Sequence, residues 1–119
     1  TNSNPENIAR AMIEGMLAGL ADAVDALVVQ GVTINRVLLV GGAAKSPAVA
    51  KIASALFGRE VIIPPAGEYV ADGAARQAAW ALLGDAPDWN LGKVTHVQSD
   101  PTPQVMEKYR TLRDATINW

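Results

Sequence analysis

The sequence predicts an α/β fold with parallel strands and crossover helices. Three observations carry this. Apolar residues recur at helical spacing from 5 to 30, and a short continuous apolar run, Arg36 to Val40, follows. Continuous β-branched and aliphatic runs mark strands buried on both faces, as in parallel sheets. From there helix and strand patterns alternate to residue 84, giving helix, strand, helix, strand, helix.

The first helix starts at Asn4, a good N-cap, with Pro5 at the first helical position, where a missing N–H costs nothing. Ile8, Met12, Met16, Leu20, Val24, Leu27 and Val28 form its predicted core stripe, which Ile13 and Leu17 widen. Gly31 ends it. Gly15 and Gly19 each cost roughly 1 kcal/mol relative to alanine inside a helix, which predicts close packing against a neighbour. Arg36–Val40 is the first strand, and Gly41 to Lys45 a loop. Ser46-Pro47 repeats the cap signal, opening a helix with Val49, Ile52, Ala53, Leu56 and Phe57 on its inner face and Gly58 at its end. Glu60 to Ile63 is the second strand, stopped by Pro64-Pro65. An alanine-rich helix from Val70 to Leu83, closed by Gly84, is expected to pack in a crowded layer, with Asp72 capping it by default, or else facing a ligand cleft, and Trp80 in the core. This gives two parts: residues 1–84, and an irregular proline-containing tail, 85–119, with a short helix at 105–114 and His96 in an exposed loop. No reading attaches to Trp89 or Trp119.

Composition narrows the function. The 119 residues carry a net charge of −2 with a pI near 5.2, so no whole-domain field attracts nucleic acid or an anionic membrane. Without cysteine there are no disulfides and no thiolate metal sites, and a single histidine excludes His-pair chemistry within the chain. No apolar run reaches the length of a membrane span, and no signal peptide is visible, so a cytoplasmic location is expected. Two further observations predict a segment of a longer protein. The chain opens Thr1-Asn2-Ser3-Asn4 without Met, and the Arg36–Val40 strand is apolar enough to be central yet lacks a second neighbour.

The informative loop is Val40-Gly41-Gly42-Ala43-Ala44-Lys45-Ser46-Pro47, which joins the C-terminal end of a buried strand to a helix start. Open α/β sheets bind ligands at that edge, and helix N-termini suit anions and nucleotides. The phosphate-loop pattern G-x-x-x-x-G-K-[ST] fails, because its glycine positions fall on Leu39 and Ala44. The dinucleotide pattern G-x-G-x-x-G keeps only its first glycine. A plain tight turn therefore stands beside a ligand site as a reading of Gly41-Gly42.

Three stretches nevertheless resemble the FGGY family of carbohydrate kinases, and they occur in its order. Arg10-Ala11-Met12-Ile13-Glu14-Gly15 is similar to its R-A-x-x-E-G helix. Leu38 to Pro47 resembles its adenosine-contacting glycine loop, in the form seen in members that phosphorylate xylulose. Asp72-Gly73-Ala74-Ala75 resembles its small-residue helix start. The resemblance covers residues 5–83; the tail is similar only through Tyr109-Arg110-x-Leu112.

The resemblance implies the C-terminal part of an RNase-H-like domain of the actin and hexokinase type, in a protein several times longer. It implies ATP-dependent phosphorylation of a sugar, xylulose to xylulose 5-phosphate first, with ATP and Mg2+ bound, and glycerol, gluconate or a deoxy sugar as alternative substrates. Gly42, Ala43 and Ser46 match positions that touch adenosine, and Gly41 matches the glycine that lets the loop turn. Ser46 serves equally as a helix cap. Lys45 reads as a surface residue, and Arg10 with Glu14 as a structural pair. No catalytic base, phosphate clamp or metal ligand is identified, so the 119 residues alone are expected to be inactive. A rival reading is a non-catalytic nucleotide-binding or interaction domain, whose exposed strand edge would pair with a partner or, as a homodimer, with a second copy.

Overall fold

A computed structural model describes residues 2–90 and 92–117; Trp119 lies outside them. The elements run α1 (Pro5–Val29), β1 (Val37–Leu38), a 3-10 turn (Gly42–Lys45), α2 (Pro47–Phe57), β2 (Val61–Ile63), α3 (Tyr69–Leu83), β3 (Thr95–Val97) and α4 (Pro103–Thr116). The predicted α/β alternation is present. β1 and β2 are parallel and joined through α2, with Val37 opposite Val61 and Leu38 opposite Ile62.

Local chemistry sets the helix ends. The Asn4 side chain accepts a hydrogen bond from the Asn7 amide at 2.8 Å, and Pro5 follows at the first helical position. At the other end Gly31 N–H donates to the Val28 carbonyl and Val32 N–H to that of Leu27, which satisfies two carbonyls the helix leaves open. Ser46 caps α2 by accepting from the Val49 amide at 3.5 Å.

The core lies where α1, α2 and α4 pack over the Val61 side of the sheet. It contains Leu17, Ala18, Ala21, Val49, Ala53, Leu56, Val61 and Met106. Ser54 is the buried polar residue of this region. Its hydroxyl donates to the Arg59 carbonyl at 2.9 Å and accepts from the Ser99 amide at 3.1 Å. Thr102 N–H donates to the Ala55 carbonyl at 3.0 Å, so the connection into α4 is held against the end of α2. Along the α1–α4 seam Arg110 meets Asp25 at 2.5 Å and Arg113 meets Asp22.

Several sequence expectations are corrected. The large residues of α1 face outward: Ile8, Met16, Leu20, Leu27 and Val28 are exposed, and Met12 is 72% exposed. The packed face is the predicted widening of the stripe, Ile13 and Leu17, joined by Ala18 and Ala21, whose small side chains let neighbouring helices come close. A Cβ on Gly19 would stand 3.5 Å from the Tyr109 hydroxyl, whereas one on Gly15 would meet nothing, so only Gly19 has a packing reason. β1 is two residues long and half-buried, shorter than the expected Arg36–Val40, and among the described residues β2 is its single neighbour, in keeping with the second neighbour the sequence lacks.

α3 has no buried residue, and Trp80 is 53% exposed, so neither a crowded layer nor a core tryptophan is found. Its N-cap is Glu68, not Asp72; Asp72 lies in the first turn. The tail is not irregular throughout. β3 pairs antiparallel with β2, and His96 sits on it opposite Ile62, with its Nδ1 2.9 Å from the Glu60 carboxylate. α4 extends beyond its predicted bounds at both ends. Among the described residues no helix is long and apolar enough to cross a membrane.

Candidate functional site

β1 and β2 are parallel, so both deliver their following loops to the same edge of the sheet. The Gly41–Lys45 turn follows one strand and Pro64–Glu68 follows the other. Between them opens a cleft of about 640 Å3, within the range of small-molecule sites. Leu39, Val40, Gly41, Gly42, Ala44 and Lys45 form one wall. Ile63, Pro64, Pro65, Ala66, Gly67, Glu68 and Tyr69 form the other. The second wall is braced internally, because the Tyr69 hydroxyl donates to the Pro65 carbonyl.

The two glycines are there for different reasons. Gly41 has φ 94° and ψ −176°, a region that side chains essentially forbid, so the backbone itself demands glycine. Gly42 has no positive φ, and a Cβ there would meet no protein atom within 4 Å. The space in front of it is open cleft. The turn's first internal bond runs from Ala44 N–H to the Gly41 carbonyl at 3.2 Å, so the Gly42 and Ala43 amides precede the bonded part of the turn.

Of the residues expected beside a nucleotide, Gly41 and Gly42 line the cleft, and Ala43 and Ser46 do not. The Ser46 hydroxyl is engaged in capping α2, and the Ala43 carbonyl accepts from Ser46 N–H at 3.1 Å. Lys45, read as a surface residue, is exposed and lies at the rim. The whole second wall was missed. Its sequence signal is a strand that ends in Pro-Pro-x-Gly at the sheet edge shared with the first loop.

Charge in the cleft is sparse: among its lining residues only Lys45 and Glu68 are ionic, one of each sign. Such a surface suits an uncharged, hydrogen-bonding body such as a nucleoside, and it is a poor clamp for several phosphates. Among the described residues no group of three His, Asp or Glu side chains comes together to hold a metal ion.

Comparison with known proteins bears on the family and the fold. The model of the FGGY family of carbohydrate kinases, C-terminal domain, matches residues 1–82. A ribulokinase from Vibrio parahaemolyticus is 31% identical, with 94% of this chain covering 21% of that protein. The crystal structure of xylulose kinase from Bifidobacterium adolescentis superposes with a TM-score of 0.75 at 42% identity, with 94% of this chain covering 22% of that one. The chain thus spans about a fifth of the length of these two relatives.

Proposed function

The chain belongs to the FGGY family of carbohydrate kinases, within the C-terminal domain, and from that premise we propose that it forms one wall of the adenosine site of a sugar kinase. The observation that carries this is the open space in front of Gly42, in a cleft of nucleoside size at the C-terminal edge of the parallel strands. In the reaction proposed for the whole protein, a sugar hydroxyl attacks the γ-phosphorus of ATP. The bond to the β,γ-bridging oxygen breaks, ADP leaves, and the hydroxyl proton passes to a base.

This chain's part is to hold the nucleoside end so that the phosphates reach the sugar, since positioning carries much of the catalysis in phosphoryl transfer. Gly41 sets the turn, and Gly42 leaves room for the ribose and base. Mg2+, when bound, neutralises charge on the phosphates. The described residues do not form a set that holds it. Xylulose is the substrate favoured, on the 42% identity to a xylulose kinase against 31% to a ribulokinase. Action in the cytoplasm is part of the same proposal.

Gly42→Val tests the adenosine wall. The side chain enters the cleft without touching the fold, so the melting temperature should hold while calorimetric affinity for ADP falls about tenfold or more. Unchanged ADP affinity in a folded Gly42→Val variant would remove the basis of the reading.

A further inference from the structure

At the opposite end of the two parallel strands from the cleft lies a smaller cavity, of about 130 Å3, which shares no lining residue with it. Its walls come from the segment that enters β1 and the segment that enters β2, and they include Asn35, Arg36, Arg59 and Glu60. The chain has six arginines. Four of them are committed: Arg10 to Glu14, Arg76 to the Pro87 carbonyl, Arg110 to Asp25 and Arg113 to Asp22. Arg36 and Arg59 are the other two. Among the described residues neither guanidinium meets a carboxylate or a hydrogen-bond acceptor. Glu60 is the acid on the same wall. Register sets it beside Arg36, since Val37 lies opposite Val61, yet its carboxylate takes His96 Nδ1 on β3 at 2.9 Å instead. The two uncommitted arginines of the chain therefore share one small cavity.

Each guanidinium is a planar fork of donors with a fixed positive charge. One fork satisfies a carboxylate, whereas a phosphate dianion has oxygens and charge enough for two. The cavity has about a fifth of the cleft's volume, so it admits a phosphate group and no nucleotide. We propose that Arg36 and Arg59 hold a phosphate dianion at this end of the sheet, with the Asn35 side-chain amide as a further donor. Free inorganic phosphate and the phosphate of a small monoester share this chemistry. Both arginines are exposed, so the body of an ester would extend into solvent. Glu60 opposes the anion, and its hydrogen bond with His96 draws that carboxylate toward β3. No residue of the Gly41–Gly42 cleft takes part, so this site stands or falls apart from the adenosine reading.

The test is titration calorimetry, at low salt, of the complete protein that carries this chain. The probes are inorganic phosphate, methyl phosphate and acetate, and the variants are Arg36→Gln, Arg59→Gln, the two combined, Arg59→Lys and Glu60→Gln. Both arginine side chains lie outside the core, and thermal melts confirm the folding of each variant. Each single glutamine variant is expected to weaken inorganic phosphate by about fivefold or more, and the combined variant to abolish its binding. Arg59→Lys should lose less than Arg59→Gln, since it keeps the charge and gives up the fork. Glu60→Gln should tighten binding by about twofold or more, because a like charge leaves the wall. Methyl phosphate binding within about threefold of inorganic phosphate assigns the site to a monoester, and a preference of about tenfold or more for inorganic phosphate assigns it to the free ion. Any one of three results overturns the site: no saturable phosphate binding up to on the order of 10 mM, acetate bound as tightly as phosphate, or a combined variant within twofold of the unmodified protein.

Discussion

Replacing Ser54 with alanine should destabilise the chain by about 2–3 kcal/mol. The side chain is fully buried and holds two segments at once. Its hydroxyl donates to the Arg59 carbonyl at 2.9 Å, in the turn that leads into β2, and accepts from the Ser99 amide at 3.1 Å, in the connection from β3 to α4. Removing one oxygen opens little cavity, so the cost comes from the partners. A part-buried amide left without an acceptor loses about 1–3 kcal/mol, and the turn carbonyl, nearer to water, adds less. For a chain of this size a loss of 2 kcal/mol lowers the melting temperature by about 8 °C. Urea unfolding followed by circular dichroism measures the change, with an unaltered m-value as the check that the two end states are the same. A loss below about 0.5 kcal/mol would refute the reasoning, because it would mean that Ser99 N–H finds another partner at no cost.

Further outcomes follow from single positions. Gly41→Ala forces a side chain into a backbone region that nearly excludes it and should cost about 1–3 kcal/mol in urea unfolding, in contrast to Gly42→Val, which should fold normally. Gly15→Ala should stabilise the chain by about 0.5–1 kcal/mol, read as a higher urea midpoint at an unchanged m-value, since nothing lies within 4 Å of the added methyl. Asp22→Asn should lower the melting temperature at low salt, with the difference shrinking as NaCl is raised to about 0.5 M. Hydrogen bonds to Asp114 and then to Asp22 raise the pKa of Arg113 above the ordinary arginine value. A raised folded-state pKa gives stability that is present below the unfolded value and lost only as pH climbs through the folded one. The Asp22→Asn difference should therefore stay flat from about pH 7 to pH 10.

What could be read from sequence depended on how local the cause was. The ends of α1 and α2 were legible because Asn4-Pro5, Gly31 and Ser46-Pro47 act within a turn of themselves. The buried face of α1 was legible only in Ile13 and Leu17, because the helix is apolar nearly all round and most of its larger side chains mark the other side. Ala18 and Ala21 contribute little to an apolar pattern, yet their small size is what allows α2 and α4 to approach. β3 escaped because three residues, two of them exposed, give too short an alternation to register; long-range pairing with β2 makes it a strand. The first wall of the cleft was legible from Gly41-Gly42. The second was not, since Pro64-Pro65 read only as the stop of the second strand, although the expected parallel strands bring both following loops to one edge.

The two-sided character of α1 has a mechanical consequence. Its 25 residues form a rod of about 37 Å. One side of the rod is seated in the core, and the other carries Met12, Met16 and Leu20 outward. Any body that grips the outer side takes hold of a lever whose other face is fixed to α2 and α4. A tilt of about 5° about one end moves the far end by about 3 Å, which is enough to disturb a close-packed seam. α2 begins at Ser46, immediately after the glycine turn. A push on the outside of α1 would thus reach the cleft through two rigid parts in series, with no loop between them to absorb it.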